Sequence, residues 1–236
     1  MENEGFEKSV YSLTSIDRIK DNLAKDTILS VLSSVPVIGA FVDNNTEKLL
    51  TKFQHDKRQG LLDVILSETA YVTNEMVNNV EFILDFAKTL EAVNKLSSNS
   101  KVKFFGNLLR NSYLSKNKAK NYEFENNFQL LLSLSYSDII IMESLKSNYR
   151  KIPDNPSENM VEFKETLEQT INGITNELQI PREIVIATLD KLSGMGVCTK
   201  TTYHSFTFGL SKSQVHYITS PLYLSLREFI LSKERL

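Results

Sequence analysis

Apolar residues recur every three to four positions along most of this chain, which is the period of an amphipathic helix. Ile16, Ile19, Leu23, Ile28, Val31 and Leu32 predict a first helix over Ser15–Ser34, ended by Pro36. A second helix is expected over Ala40–Glu68, carried by Leu49, Leu50, Phe53, Leu61, Leu62 and Ile65. A third begins near Thr73, a capping residue with Glu75 close behind, and shows an apolar face of Met76, Val80, Ile83, Leu84, Ala87 and Leu90. Ser100 can cap a fourth, with Phe104, Phe105, Leu108, Leu109 and Tyr113. Residues 1–120 therefore read as a helical bundle with short connections.

The pattern changes from Tyr122. "FENNFQLLLSLSYSDIIIMESLKS" predicts a helix, a break at Ser135–Ser137 and a second helix started by Ser137 or Asp138. Two prolines and three asparagines mark residues 148–160 as a linker or insertion. Helical spacing returns over Met160–Leu178. "PREIVIATLDKLSGMGV" then gives a helix with Pro181 at its first position, Val185, Leu189 and Leu192 facing inward, and Gly196 at its left-handed end. "TYHSFTFGL" alternates with period two, "GLSKS" turns, and "QVHYIT" returns as a second strand. Ser220 and Pro221 open a closing helix. The fold class expected is mainly α: an N-terminal helical bundle over 1–120, then a winged-helix-like domain over 121–236 with a small β-hairpin and an insertion near 148–160.

Composition agrees with that reading. Of 236 residues, 8 are Gly and 5 are Pro, too few for a many-turned sandwich. Net charge is -2, so no global basic field draws the chain to nucleic acid. The single cysteine, Cys198, excludes an internal disulfide and a cysteine-based zinc cluster. Met1–Phe6 is acidic and polar, unlike a secretory leader, which makes a cytoplasmic location the expectation.

The segments "LSYSDIIIMESL", "ITNELQIPREIVIATLDKLSGMGV" and "YITSPLYLSLREFI" resemble the first helix, helix-turn-helix and closing segment of winged-helix domains. They are most similar to those of a group of uncharacterised bacterial helical proteins linked with phage and mobile elements, which also carry a segment like "SSVPVIGAFVDNNTEKL". The resemblance covers residues 28–60 and 125–232. It implies a place in a phage-defence or mobile-element system and carries no catalytic residues to transfer.

Whether the second helix of the pair reads DNA turns on its outward side chains. These are expected to be Arg182, Glu183, Ile186, Ala187 and Asp190, of which only Arg182 suits a base edge or a phosphate. The hairpin adds Lys200, His204, Lys212 and His216. Residues 151–236 hold 9 Lys and Arg against 10 Asp and Glu, no basic face for DNA. Arg182, Glu183, Ile186, Ala187, Lys200 and Lys212 are thus candidate contacts to a protein partner, with nucleic acid disfavoured by charge. A second candidate is a basic patch of Lys101, Lys103, Arg110, Lys116, Lys118 and Lys120, a stretch with no acidic residue. Residues 28–42 form an uncharged run; as a helix it spans roughly 22 Å, short of the roughly 30 Å hydrocarbon core, so no transmembrane span is expected.

No catalytic constellation emerges. His204 and His216 could face each other across the hairpin, yet two histidines alone make a poor metal site. There is no phosphate-cradling glycine loop and no nucleophile elbow. The expectation is a non-enzymatic interaction protein without cofactor or metal, whose partner is a protein and which could form a homodimer. A winged-helix transcriptional regulator and a membrane-active effector using residues 28–42 are the alternatives.

Overall fold

The structure is a computed structural model and describes residues 19, 22–35, 44–66, 78–113, 121–145, 167–207 and 210–230. It is mainly helical, with one two-stranded antiparallel hairpin near the C-terminus. The chain divides into two compact units, residues 1–133 with 229–236, and residues 134–228. The boundary falls after Ser133, not after residue 120 as the sequence pattern suggested.

The first unit holds α1 (Asn22–Ser34), α2 (Asn44–Ile65), α3 (Val80–Lys95), a 3₁₀ turn (Asn99–Lys101), α4 (Val102–Tyr113) and α5 (Asn121–Ser133). The third helix starts at Val80, capped by the Asn79 side chain accepting from the Glu81 amide at 2.9 Å. Thr73 lies outside the described residues. Its inward face also differs from the one expected. Phe82, Phe86, Leu90 and Val93 are buried, whereas Val80 and Leu84 are 69% and 57% exposed. Two rings outweigh smaller side chains in apolar area, and they find ring partners. Phe82 meets Tyr113 of α4 edge-on at 5.3 Å, and Tyr113 in turn lies 6.2 Å from Phe124 of α5. Phe128 of α5 packs edge-on against Phe105 of α4 at 5.6 Å. These contacts are why α5 belongs to the bundle.

α2 crosses α4 closely. A Cβ built on Gly106 would lie 2.7 Å from Val64 Cγ1, so only glycine lets the two backbones approach this far. α2 also carries two buried cations in sequence, Lys57 and Arg58. Arg58 donates to the Leu32 and Val35 carbonyls at 3.2 and 2.8 Å and to Asn94 Oδ1 at 3.3 Å. Lys57 donates to the carbonyls of Asn94 and Leu96. Each cation thus satisfies the orphan carbonyls at one helix end, α1 for Arg58 and α3 for Lys57, and meets the negative end of that helix dipole. Burial lowers the pKa of both groups.

The second unit runs α6 (Tyr136–Ser144), α7 (Leu167–Leu178), α8 (Arg182–Gly194), β1 (Cys198–Thr207), β2 (Leu210–Thr219) and α9 (Pro221–Ile230), the last two residues of α9 falling in the first unit. The 148–160 segment lies outside the described residues. α6 is capped by Ser135, not Ser137 or Asp138. Ser135 Oγ accepts from the Asp138 amide at 3.1 Å, and Asp138 Oδ2 accepts from the Ser135 amide at 2.7 Å, a capping box. Pro181 sits at the cap of α8 with φ -54° and ψ 138°, one residue before the first helical position expected for it. Gly196 does adopt the left-handed conformation, with φ 76°. Val185, Leu189 and Leu192 are buried, as their spacing predicts, and α8 packs on α6, α7 and β1. Ser220 accepts from the Tyr223 amide at 3.2 Å and so starts α9.

Candidate functional site

The Gln179–Pro181 turn and α8 place the sequence-predicted contact residues. The buried face of α8 is Val185, Thr188, Leu189 and Leu192. That leaves Glu183, Ile184, Ala187, Asp190 and Lys191 exposed, while Arg182 and Ile186 are half-buried. Ile186 is therefore less outward than its position suggested. Ile184, which the sequence reading passed over, is 48% exposed. The signal for it was present: a residue one step from the inward Val185 is rotated about 100° away, on the side of Ala187 three residues later.

Three cations of this region, Arg182, Lys191 and Lys200, are already engaged. Arg182 Nη1 donates to Asn172 Oδ1 at 2.8 Å, and Nη2 to Glu168 Oε2 at 2.6 Å. This clamp folds the guanidinium back onto α7, and it holds the Glu168 carboxyl below its ordinary pKa. Lys191 Nζ lies 2.5 Å from Asp138 Oδ2 and so ties α8 to the start of α6. Asp138 is 7% exposed at its side chain, and Thr188 Oγ1 lies 3.4 Å from its other oxygen. Burial pushes the Asp138 pKa up, but the hydrogen bonds from Lys191 and Ser135 outweigh it and hold the group below its usual value. Lys200 on β1 stands 4.0 Å from Asp190. Asp190 also accepts from Tyr217 on β2 at 2.9 Å. Burial first, and that hydrogen bond second, push the Tyr217 hydroxyl above its ordinary pKa. Lys212 lies on β2 opposite Ser205, and its side chain is outside the described set. Of the three cations proposed as contacts, Arg182 and Lys200 thus face carboxylates of their own unit.

Comparison with protein-family models, curated proteins and solved structures finds no match. The chemistry of the site therefore rests on the residues themselves.

The hairpin register separates the two histidines. His216 is paired with Thr201 and His204 with Ser213, so they do not face each other. His216 is buried. Cys198 is buried as well. Burial, then the Asp190 charge, push its thiol up to about 11, which keeps it protonated at neutral pH and inert as a nucleophile.

The basic patch divides in the same way. Lys101 donates to the Leu131 carbonyl at 2.7 Å, capping the last turn of α5, and its ammonium lies 5.6 Å from the Phe105 ring centre. Lys103 is exposed and sits 4.9 Å from the Phe104 ring centre. Arg110 is half-buried. Lys116, Lys118 and Lys120 lie outside the described residues. Of the described patch, Lys101 is thus committed to the end of α5.

Of the uncharged run 28–42, residues 28–35 are described, and Ile28, Val31, Leu32 and Val35 are buried. Among the described residues no helix is long and apolar enough to cross a membrane.

Proposed function

We propose that this protein is a non-enzymatic interaction protein whose second unit, a winged-helix-like module, contacts a protein partner through the exposed face of α8. One observation carries the reading. Arg182, the side chain on α8 best suited to a DNA base edge, is clamped to Glu168 and Asn172. What α8 then offers outward is Glu183, Ile184 and Ala187, an apolar and acidic surface that suits a protein better than a phosphate backbone. The resemblance to bacterial proteins linked with phage and mobile elements supplies the setting, a defence or mobile-element system.

Two measurements test this together. Fluorescence anisotropy with labelled DNA duplexes at low salt should show no salt-sensitive binding. Affinity capture from the native cell should retain a partner that the Ile184→Asp variant loses. Sequence-selective DNA binding abolished by Arg182→Ala would overturn the reading in favour of a transcriptional regulator.

A further inference from the structure

The hairpin has a strand edge that its own sequence does not protect. β1 and β2 pair one-to-one over their whole length, from Cys198 opposite Thr219 to Thr207 opposite Leu210, without a bulge. In such a ladder alternate residues turn their N–H and C=O groups toward the partner strand, and the residues between turn theirs away. Among the described residues those outward groups meet no third strand. The backbone bonds beside the ladder are Val197 N–H to the Leu192 carbonyl and Ser220 N–H to the Val197 carbonyl; among the described residues none runs from the ladder to a helix. Folded chains protect an edge by keeping it short, or with a bulge, a proline or a lysine. The lysine of β1 is Lys200, near the start of the strand and 4.0 Å from Asp190. Beyond it, Thr201–Thr207 reads "TTYHSFT", with no proline, lysine, arginine or carboxylate. Five of those seven residues are threonine or aromatic, types that favour a strand, so the segment invites pairing where it could have blocked it. β2 differs, because Lys212 lies in the matching half of that strand.

We infer that the outer edge of β1 pairs antiparallel with the same edge of a second copy of this chain, joining two hairpins into one four-stranded sheet. The edge selects its occupant in two steps. A row of outward N–H and C=O groups is matched in register by another extended strand. Among strands, an identical antiparallel one suits this segment, because a two-fold axis sets it against itself. Thr201 of one copy then stands opposite Thr207 of the other, and His204 opposite its own counterpart, so at pH 8, where histidine is neutral, no like charges meet. The same operation on β2 brings Lys212 of the two copies onto one shared edge, which is why β1 is the edge that pairs. A strand-to-strand contact is smaller than the roughly 1,200 Å² of a stable complex, so the pairing is weak and reversible. It uses β1 and not α8, and it stands or falls apart from the partner contact proposed above.

The test uses the full chain at pH 8 in sedimentation equilibrium over a concentration series. The expected result is a monomer–dimer equilibrium, with amide protection of Thr201–Thr207 rising with concentration in hydrogen exchange. His204→Lys places two lysines directly opposite each other and raises the dissociation constant about fivefold. His204→Glu does the same, and an equal mixture of the two variants restores pairing as a heterodimer, which a folding defect would not do. Ser213→Lys adds the same charge on β2, opposite His204 in the hairpin, and leaves the dissociation constant within about twofold because that strand lies one position further from the second copy. Cys198 staying unreactive toward a thiol reagent shows that each variant keeps its hairpin. A chain that stays monomeric up to about 1 mM overturns the inference. So does a dimer that His204→Lys leaves intact, or one that Ser213→Lys weakens as much. None of these results touches capture of a partner by α8, which Ile184→Asp tests separately.

Discussion

Asp138 joins two structural tasks in one side chain, and replacing it should show both. It closes the capping box at the start of α6 and holds Lys191 of α8 at 2.5 Å. Losing a cap costs about 1 kcal/mol. A hydrogen bond to a charged group contributes about 1.5–3 kcal/mol, but Lys191 is 43% exposed and recovers hydration when released, which brings this contact down to about 1 kcal/mol. Asp138→Ala should therefore destabilise the second unit by about 2 kcal/mol. Asp138→Asn keeps an acceptor for the Ser135 amide and should lose only the charged contact, about 1 kcal/mol. Hydrogen exchange read by mass spectrometry on peptides from Tyr136–Ser144 and Arg182–Gly194 reports this unit without interference from the first. The pH dependence has a definite sign. The folded Asp138 pKa lies below its unfolded value, so the stabilisation is complete above the unfolded pKa of about 3.9 and is lost as pH falls through the folded one. The gap between wild type and Asp138→Asn should stay constant from about pH 7 to pH 5 and close below about pH 4. A gap that is absent at neutral pH, or that closes near pH 6, would refute the assigned network.

Three further outcomes follow from the packing. Gly106→Val should destabilise the bundle by about 1–3 kcal/mol or more, since even the first added carbon meets Val64 at 2.7 Å; urea denaturation followed by circular dichroism reads it. Gly196→Ala has open space around the new methyl group, so its cost is conformational alone, about 1–2 kcal/mol from the left-handed φ of 76°, and should appear as a lower melting temperature with an unchanged denaturant slope. Cys198 should not react with a thiol reagent at pH 8 until the chain is unfolded, because its thiol is buried and its pKa is raised to about 11; rapid labelling of the native protein would show that this part of the hairpin opens.

Where periodicity and a unique local residue coincided, the sequence could be read. Val185, Leu189 and Leu192 fix the inward face of α8, and Gly196 marks its end, because spacing and a left-handed stop are both local properties. The face of α3 was misread because two apolar stripes run along that helix, and only the ring partners Tyr113 and Phe124, supplied by other helices, decide between them. The same holds for α5, which reads as the start of a new domain until Phe124 and Phe128 find their places in the bundle. For the candidate site the deciding facts were also non-local. Residue type alone makes Arg182 a DNA contact, and nothing in the spacing announces that Glu168, fourteen positions earlier, closes on it. Lys101 looks like part of an open basic patch until the Leu131 carbonyl receives it. A cation counts toward recognition only after its carboxylates and helix ends have been counted against it. On that reckoning α8, whose own charges balance, is left with Glu183, Ile184 and Ala187 outward, and the side chains to mutate are Glu183 and Ile184.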